Sequence, residues 1–209
     1  MKKTKIYYFY DALCGWCFGF SPVIQRIYKE YHNEFDFEIV SGGMKLGADV
    51  GPIGVVAPYI KAGAYKQVEQ TCNVKFGDDF VCGPLEEGTI VLDSLKPAIA
   101  LSIVKTQKPE SAFVFSDLLH RALYVDGDDI GELSNYSKYA VEIGLDSFAF
   151  IRDMENPSFN ELAERDFAFT KSLGINGFPT MVAEKEESAF LISRGFTSYQ
   201  DLVNQLNLI

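Results

Sequence analysis

The sequence predicts an α/β fold: a strand–helix–strand unit near the start, a long helical stretch, and a strand–strand–helix unit at the end. Three observations carry this. Ile6 to Tyr10 is β-branched and aromatic and apolar at nearly every position, as in a strand covered on both faces. After it the period changes, and Phe18, Val23, Ile24, Ile27, Tyr28 and Tyr31 recur at helical spacings of three and four. "EFDFEIVSGG" (34–43) then alternates Phe35, Phe37 and Ile39 and ends in two glycines, which completes a βαβ unit.

The remaining elements follow in order. The first helix should run from Gly15 to Tyr31, with a kink at Pro22, whose ring and missing N–H oppose a regular helix interior. "DSLKPAIALSIVKTQ" (93–107) opens on Asp93 as a plausible N-cap. "PESAFVFSDLLHRALYVDG" (109–127) carries proline near its start and glycine past its end. "DIGELSNYSKYAVEIG" (129–144) and "PSFNELAERDFAFTKSLG" (157–174) repeat the pattern, and no strand of comparable strength stands between 52 and 173. "FPTMVAE" (178–184) and "AFLISRG" (189–195), separated by a polar turn at 184–188, form a hairpin. "TSYQDLVNQLNLI" (197–209) is a closing amphipathic helix capped by Thr197 or Ser198. The chain therefore divides into 1–48 with 174–209, a discontinuous α/β unit, and 49–173, a helical insertion itself of domain size.

With 47% hydrophobic residues in 209, the chain can bury a core without disulfide support. Its 29 acidic residues outnumber 19 basic ones, for a net charge of −10 with no Lys/Arg cluster. Such a surface repels phosphate backbones and anionic lipid, which argues against nucleic-acid and membrane partners. No apolar run approaches the roughly 18 residues of a membrane span. Met1 to Lys5 looks like the basic start of a signal peptide, but Asp11 and two cysteines interrupt the apolar stretch behind it and no A-x-A site follows. The expected compartment is the cytoplasm, where a CxxC is more often catalytic or metal-binding than structural.

That CxxC is Cys14-Gly15-Trp16-Cys17, placed where the first strand ends and the first helix begins. The free N–H groups and dipole of a helix N-terminus favour an anion there, hence the thiolate of Cys14. Cys17, about one turn on and deeper in the helix, is in reach of a short disulfide and should be less exposed. Cys14 would then attack and Cys17 resolve the mixed disulfide. Gly15 lets a substrate backbone approach, and Trp16 offers an apolar platform at the rim. The alternatives are half a zinc site, for which Cys72, Cys82, His32 and His120 supply no ligand-spaced partner pair, and two inert core thiols. "GFPT" (177–180) supports the redox reading. A cis-proline at Pro179 facing the CxxC would free the backbone of Phe178 to pair with an extended substrate.

"DALCGWC" after a strand, Pro22, and "GFPT" late in the chain resemble the thioredoxin superfamily, and the long helical insertion resembles its DsbA branch. Asp11 before "LCGWC", "SGGM" (41–44), "VLDS" (91–94) and "LGINGFPT" (173–180) are closer still to the predicted protein-disulfide isomerases, a mostly cytosolic DsbA-like group. The resemblance implies a thioredoxin fold with a large helical insertion, Cys14 as nucleophile, Cys17 as resolving thiol, Pro179 in cis, and no bound cofactor or metal. It implies disulfide exchange with disulfide-containing proteins or small thiols such as glutathione. A kappa-class-like glutathione transferase or isomerase, which typically carries serine where Cys14 stands, and a redox-idle peptide-binding chaperone are the rival readings.

Four further features carry expectations of their own. Cys72 and Cys82, in a segment read as a loop (71–83), are a second redox pair, two separate thiols or a weak metal site. The acidic runs 77–79, 126–129 and 184–187 read as solvated turns. His120 is expected to be a partly buried helix residue. Glu38 is a candidate proton acceptor for Cys17 by position alone, against the plainer reading of a solvent-facing side chain.

Overall fold

A computed structural model describes residues 3–186 and 188–209; Met1, Lys2 and Glu187, and with them parts of the expected basic N-terminus, the 184–188 turn and the 184–187 acidic run, lie outside the described residues. The chain opens with β1 (Lys5–Tyr10), α1 (Gly15–Tyr31) and β2 (Asp36–Ser41). A two-residue strand β3 (Gly51–Pro52) leads into four short helices: α2 (Ile53–Val56), α3 (Tyr65–Cys72), α4 (Asp78–Cys82) and α5 (Pro84–Glu87). A π-helical turn (Ile60–Ala64) precedes α3, with Gly63 at φ +120°. Then come β4 (Val91–Leu92), α6 (Leu95–Gln107), α7 (Ala112–Tyr124), α8 (Tyr136–Glu142), α9 (Ser147–Met154) and α10 (Pro157–Ser172). The hairpin β5 (Thr180–Lys185) and β6 (Ser188–Arg194) and the helix α11 (Tyr199–Leu206) close the chain.

Four strands form one sheet in the order β2-β1-β5-β6. β1 runs parallel to β2, with Tyr8 opposite Ile39, and antiparallel to β5, with Phe9 opposite Thr180. Side chains of β1 alternate between two covered faces. Ile6, Tyr8 and Tyr10 join Phe20, Ile24 and Ile27 of α1 in the main core. Phe9 meets Val40 and Val182 on the other face, where Phe169 of α10 packs. This is why β1 reads as continuously apolar. Each large side chain so buried contributes about 1.5–3 kcal/mol.

The structure departs from the sequence reading at several places. β3 and β4 pair antiparallel as a separate two-stranded ribbon inside the helical stretch. Two residues are too short to show alternation, so tertiary pairing decides them. Residues 71–83 are not a loop throughout: Asp78–Cys82 is helical, with Asp78 and Asp79 in the first turn facing the positive end of the dipole. The acidic run 77–79 therefore starts a helix. α9 was not anticipated, although Asp146 caps it by accepting from the Ala149 N–H at 2.8 Å. Ser94, not Asp93, occupies the cap position of α6; the Asp93 carboxylate still accepts from Leu95 N–H at 2.9 Å. Of the two caps expected for α11, Ser198 takes the position. α1 spans Gly15–Tyr31 with Pro22 inside it, as expected.

Candidate active site

The turn leaving β1 is closed by the Cys14 N–H donating to the Asp11 carbonyl at 3.0 Å. Cys14 then takes the N-cap position of α1 in extended conformation, and its sulfur accepts from the Cys17 N–H at 3.4 Å. A cap normally offers oxygen; here the first-turn N–H is spent on sulfur, the group whose anion it would stabilise. The Phe178–Pro179 peptide bond is cis, and Cys14 Sγ lies 3.4 Å from the Phe178 carbonyl oxygen. The thiol form donates to that oxygen; the thiolate keeps only the Cys17 N–H.

All four cysteines are free. Cys17 is completely buried and Cys14 is 6% exposed. Burial pushes the Cys17 thiol well above its ordinary range, and the neighbouring Cys14 sulfur pushes it further. Trp16 stands 37% exposed at the mouth, whereas Pro179 is buried and Phe178 half-buried. Gly42, from "SGGM", makes the Phe178 position possible: a Cβ there would lie 2.2 Å from the Phe178 ring.

Beneath the cysteines sits a polar knot that the sequence reading missed. The Asp11 carboxyl accepts from Leu13 N–H (3.0 Å), Met44 N–H (2.7 Å) and Ser94 Oγ (3.1 Å). Burial raises its pKa against these hydrogen bonds. Its own carbonyl receives His120 Nε2 at 3.1 Å. A carbonyl only accepts, so Nε2 carries the proton and the buried Nδ1 is an acceptor without a partner. His120 is fully rather than partly buried, and burial pulls its pKa down to about 4. Glu38 is half-buried on β2, paired with Lys5 at 2.5 Å and Lys105 at 3.7 Å, so the buried acid of the site is Asp11.

A cavity of about 90 Å³ adjoins Cys14, lined by Leu13, Gly15, Trp16, Met44, Tyr59, Ile60, Ala64, Tyr65, Val68, Phe76 and Tyr124. Wider hollows of 380 and 760 Å³ at the far end of α1 touch neither cysteine. Cys72 packs against Gly19 of α1 and is held up to about 11 by burial, while Cys82 is exposed. Among the described residues no group of three or more His, Cys, Asp or Glu side chains is arranged to hold a metal, and no helix is long and apolar enough to cross a membrane.

Sheet order, inserted helices and a paired CxxC at a helix start define a thioredoxin-fold protein of the DsbA type. The chain belongs to the DSBA-like thioredoxin domain family, whose model matches residues 5–207. It is similar to the solved structure of a Nitrosomonas europaea protein to which a protein disulfide isomerase role has been assigned. That match has a TM-score of 0.87 and 26% identity, covering 99% of this chain and 97% of that one. It is also similar to the cytosolic disulfide reductase DsbM from Pseudomonas aeruginosa, with a TM-score of 0.80 and 25% identity, covering 98% and 100%. DsbM has also been solved with GSH. Among curated proteins it matches the ClpXP adapter protein SpxH of Shouchella clausii, 23% identical over 187 residues and 90% of this chain. The chain spans 60% of the length of that relative.

Proposed function

We propose that the protein is a cytoplasmic thiol–disulfide oxidoreductase or isomerase, with Cys14 as nucleophile and Cys17 as resolving thiol. The observation that carries this is one sulfur, Cys14 Sγ, held between a helix-start N–H and the Phe178 carbonyl next to a cis-proline, with a wholly buried thiol one turn away. Similarity to a cytosolic disulfide reductase supports the reading. Disulfide-containing proteins, or small thiols such as glutathione, are the substrates, and no cofactor or metal takes part. In this reading 1–48 with 174–209 is the thioredoxin-like part and 49–173 the insertion that walls the site.

In the reducing direction the Cys14 thiolate attacks one sulfur of the substrate disulfide. A Cys14–substrate disulfide forms and the first substrate thiolate leaves and takes a proton. Bonding Cys14 removes the negative neighbour that raises the cost of ionising Cys17. Cys17 then gives up its proton, attacks Cys14 Sγ and expels the second substrate thiol. Two electrons pass from the dithiol to the substrate. Gly15, Trp16, Phe178 and Pro179 frame the incoming chain, with the Phe178 backbone pairing to it.

The test is reduction of insulin by the reduced chain. Cys14→Ser should abolish turnover, and Cys17→Ser should accumulate the mixed disulfide. Turnover surviving in Cys14→Ser would overturn the assignment.

A further inference from the structure

The Tyr8 hydroxyl is sealed from solvent and finds no hydrogen-bond partner among the described residues. An unpaired buried hydroxyl costs stability, and a phenylalanine ring would fill the same space without that cost. Tyr8 lies on the face of β1 turned toward α1, its ring centroid 5.9 Å from that of Phe20. Cys17 stands three residues before Phe20, on the same face of that helix, and both are fully buried. The Cys17 sulfur lies beside the Tyr8 hydroxyl without closing a hydrogen bond in the dithiol. Resting on the oxidoreductase reading, we propose that Tyr8 is a catalytic residue of the second step: its hydroxyl donates a hydrogen bond to the Cys17 thiolate as that thiolate forms to resolve the mixed disulfide.

The Cys17 anion needs such a donor. It forms where burial opposes it first, then the Cys14 sulfur and the Asp11 carboxyl, with a main-chain hydrogen bond at Asp11 in its favour. Bonding Cys14 to substrate removes one opposing charge and leaves the burial. A hydrogen bond to an ionised group is among the stronger ones. Made only once the thiolate exists, it lowers the barrier to resolution without holding the resting state. Tyr8 acts as donor and not as base, because burial, and then the neighbouring Cys17 and Cys14 sulfurs, keep its proton on oxygen. The Cys17 proton passes to the departing substrate thiolate. Other titratable groups around Cys17 are Cys14, Asp11, Tyr10 and Tyr124. Tyr124 spends its hydroxyl on the Leu13 carbonyl, and His120, neutral above about pH 4, donates to the Asp11 carbonyl. Tyr8, unlike Tyr10, has an orphaned hydroxyl.

The test compares the parent chain with Tyr8→Phe in a single turnover. A short peptide whose one cysteine is bonded to an aryl thiol is mixed with reduced full-length chain, in enough excess that the first step precedes the second. Cys14 attacks the peptide sulfur and releases the coloured aryl thiolate. Cys17 then attacks Cys14, frees the peptide thiol and leaves the Cys14–Cys17 disulfide, so the chain's own dithiol is the reductant. Acid quenching and mass spectrometry follow the mixed disulfide. In Tyr8→Phe the release of aryl thiolate should stay within about twofold of the parent, while the mixed disulfide decays roughly tenfold or more slowly. The pH at which that decay is half-maximal should rise by about one unit, since a thiolate without its donor forms at higher pH. The urea midpoint should be equal to the parent's or higher, because the hydroxyl makes no bond in the resting dithiol. Unchanged decay and pH profile, equal slowing of both steps, or a lower urea midpoint would overturn the role of Tyr8 and leave the oxidoreductase reading in place. No reaction of the parent with any disulfide would overturn both.

Discussion

The Ser94 hydroxyl donates to the Asp11 carboxyl at 3.1 Å and joins positions 83 residues apart. Through the same carboxyl, Leu13 before the CxxC and Met44 after β2 are held as well. Three short motifs, scattered through the sequence and linked there only by family likeness, thus meet on one buried group directly below Cys14.

That convergence makes Asp11 the residue whose loss should cost most. Asp11→Ala leaves the Leu13 and Met44 N–H groups and the Ser94 hydroxyl proton without their acceptor, each such loss costing about 1–3 kcal/mol where the group is buried. We expect at least about 3 kcal/mol of destabilisation by urea unfolding, and about 1 kcal/mol for Ser94→Ala. A stability for Asp11→Ala equal to the parent would show the knot to be dispensable.

Gly42→Ala should act on the site rather than on global stability. The added methyl collides with the Phe178 ring, and the ring must move with its carbonyl, 3.4 Å from Cys14. The expected result is a drop in disulfide-exchange rate of about tenfold or more with the unfolding midpoint little changed. An unaltered rate constant would mean that the ring yields without disturbing the backbone.

The buried His120 predicts acid sensitivity. Its folded pKa of about 4 lies below the ordinary 6.5. Between these values the unfolded chain binds the proton and the folded chain does not. The stabilisation is therefore complete above pH 6.5 and is lost as pH falls toward 4, up to about 3 kcal/mol. Asp11, with a raised folded pKa, contributes in the opposite sense, losing stability as pH rises. His120→Leu should cost about 1 kcal/mol at pH 7 through the lost bond to the Asp11 carbonyl and should flatten the acid limb. The measurement is unfolding midpoint against pH for both chains, and parallel curves would refute the assignment of that limb to His120.

Three of the four thiols should separate by accessibility. Cys82 is exposed, Cys72 is half-buried with a thiol at about 11, and Cys17 is sealed. Timed alkylation of the native reduced chain, read by mass spectrometry, should label Cys82 well before Cys72, with Cys17 modified only on unfolding. Rapid joint protection of Cys72 and Cys82 after mild oxidation would instead reveal a bond between them.

Much of this was legible in the residues. The continuous apolar run at 6–10 has one meaning when helices cover both faces, and the change to a spacing of three and four marks α1 from Gly15 to Tyr31. α9 was missed because it is only eight residues long and its cap, Asp146, sits in a stretch already rich in turn formers. β3 and β4 were missed because a pairing of two residues leaves no local pattern. Glu38 was considered as the acid of the site because position along the chain does not reveal which charges are desolvated.

By itself the sequence determined the order of elements, the CxxC at a strand-to-helix junction and the proline that faces it. These are local matters of periodicity, capping and backbone restriction, written over a few residues each. Tertiary structure alone decided which acid lies under the cysteines, that His120 is sealed with an unpaired nitrogen, and that the insertion folds Tyr59 and Val68 against Cys14. Those outcomes depend on which groups are withdrawn from water together, and desolvation is a property of contacts between distant segments, not of any segment alone.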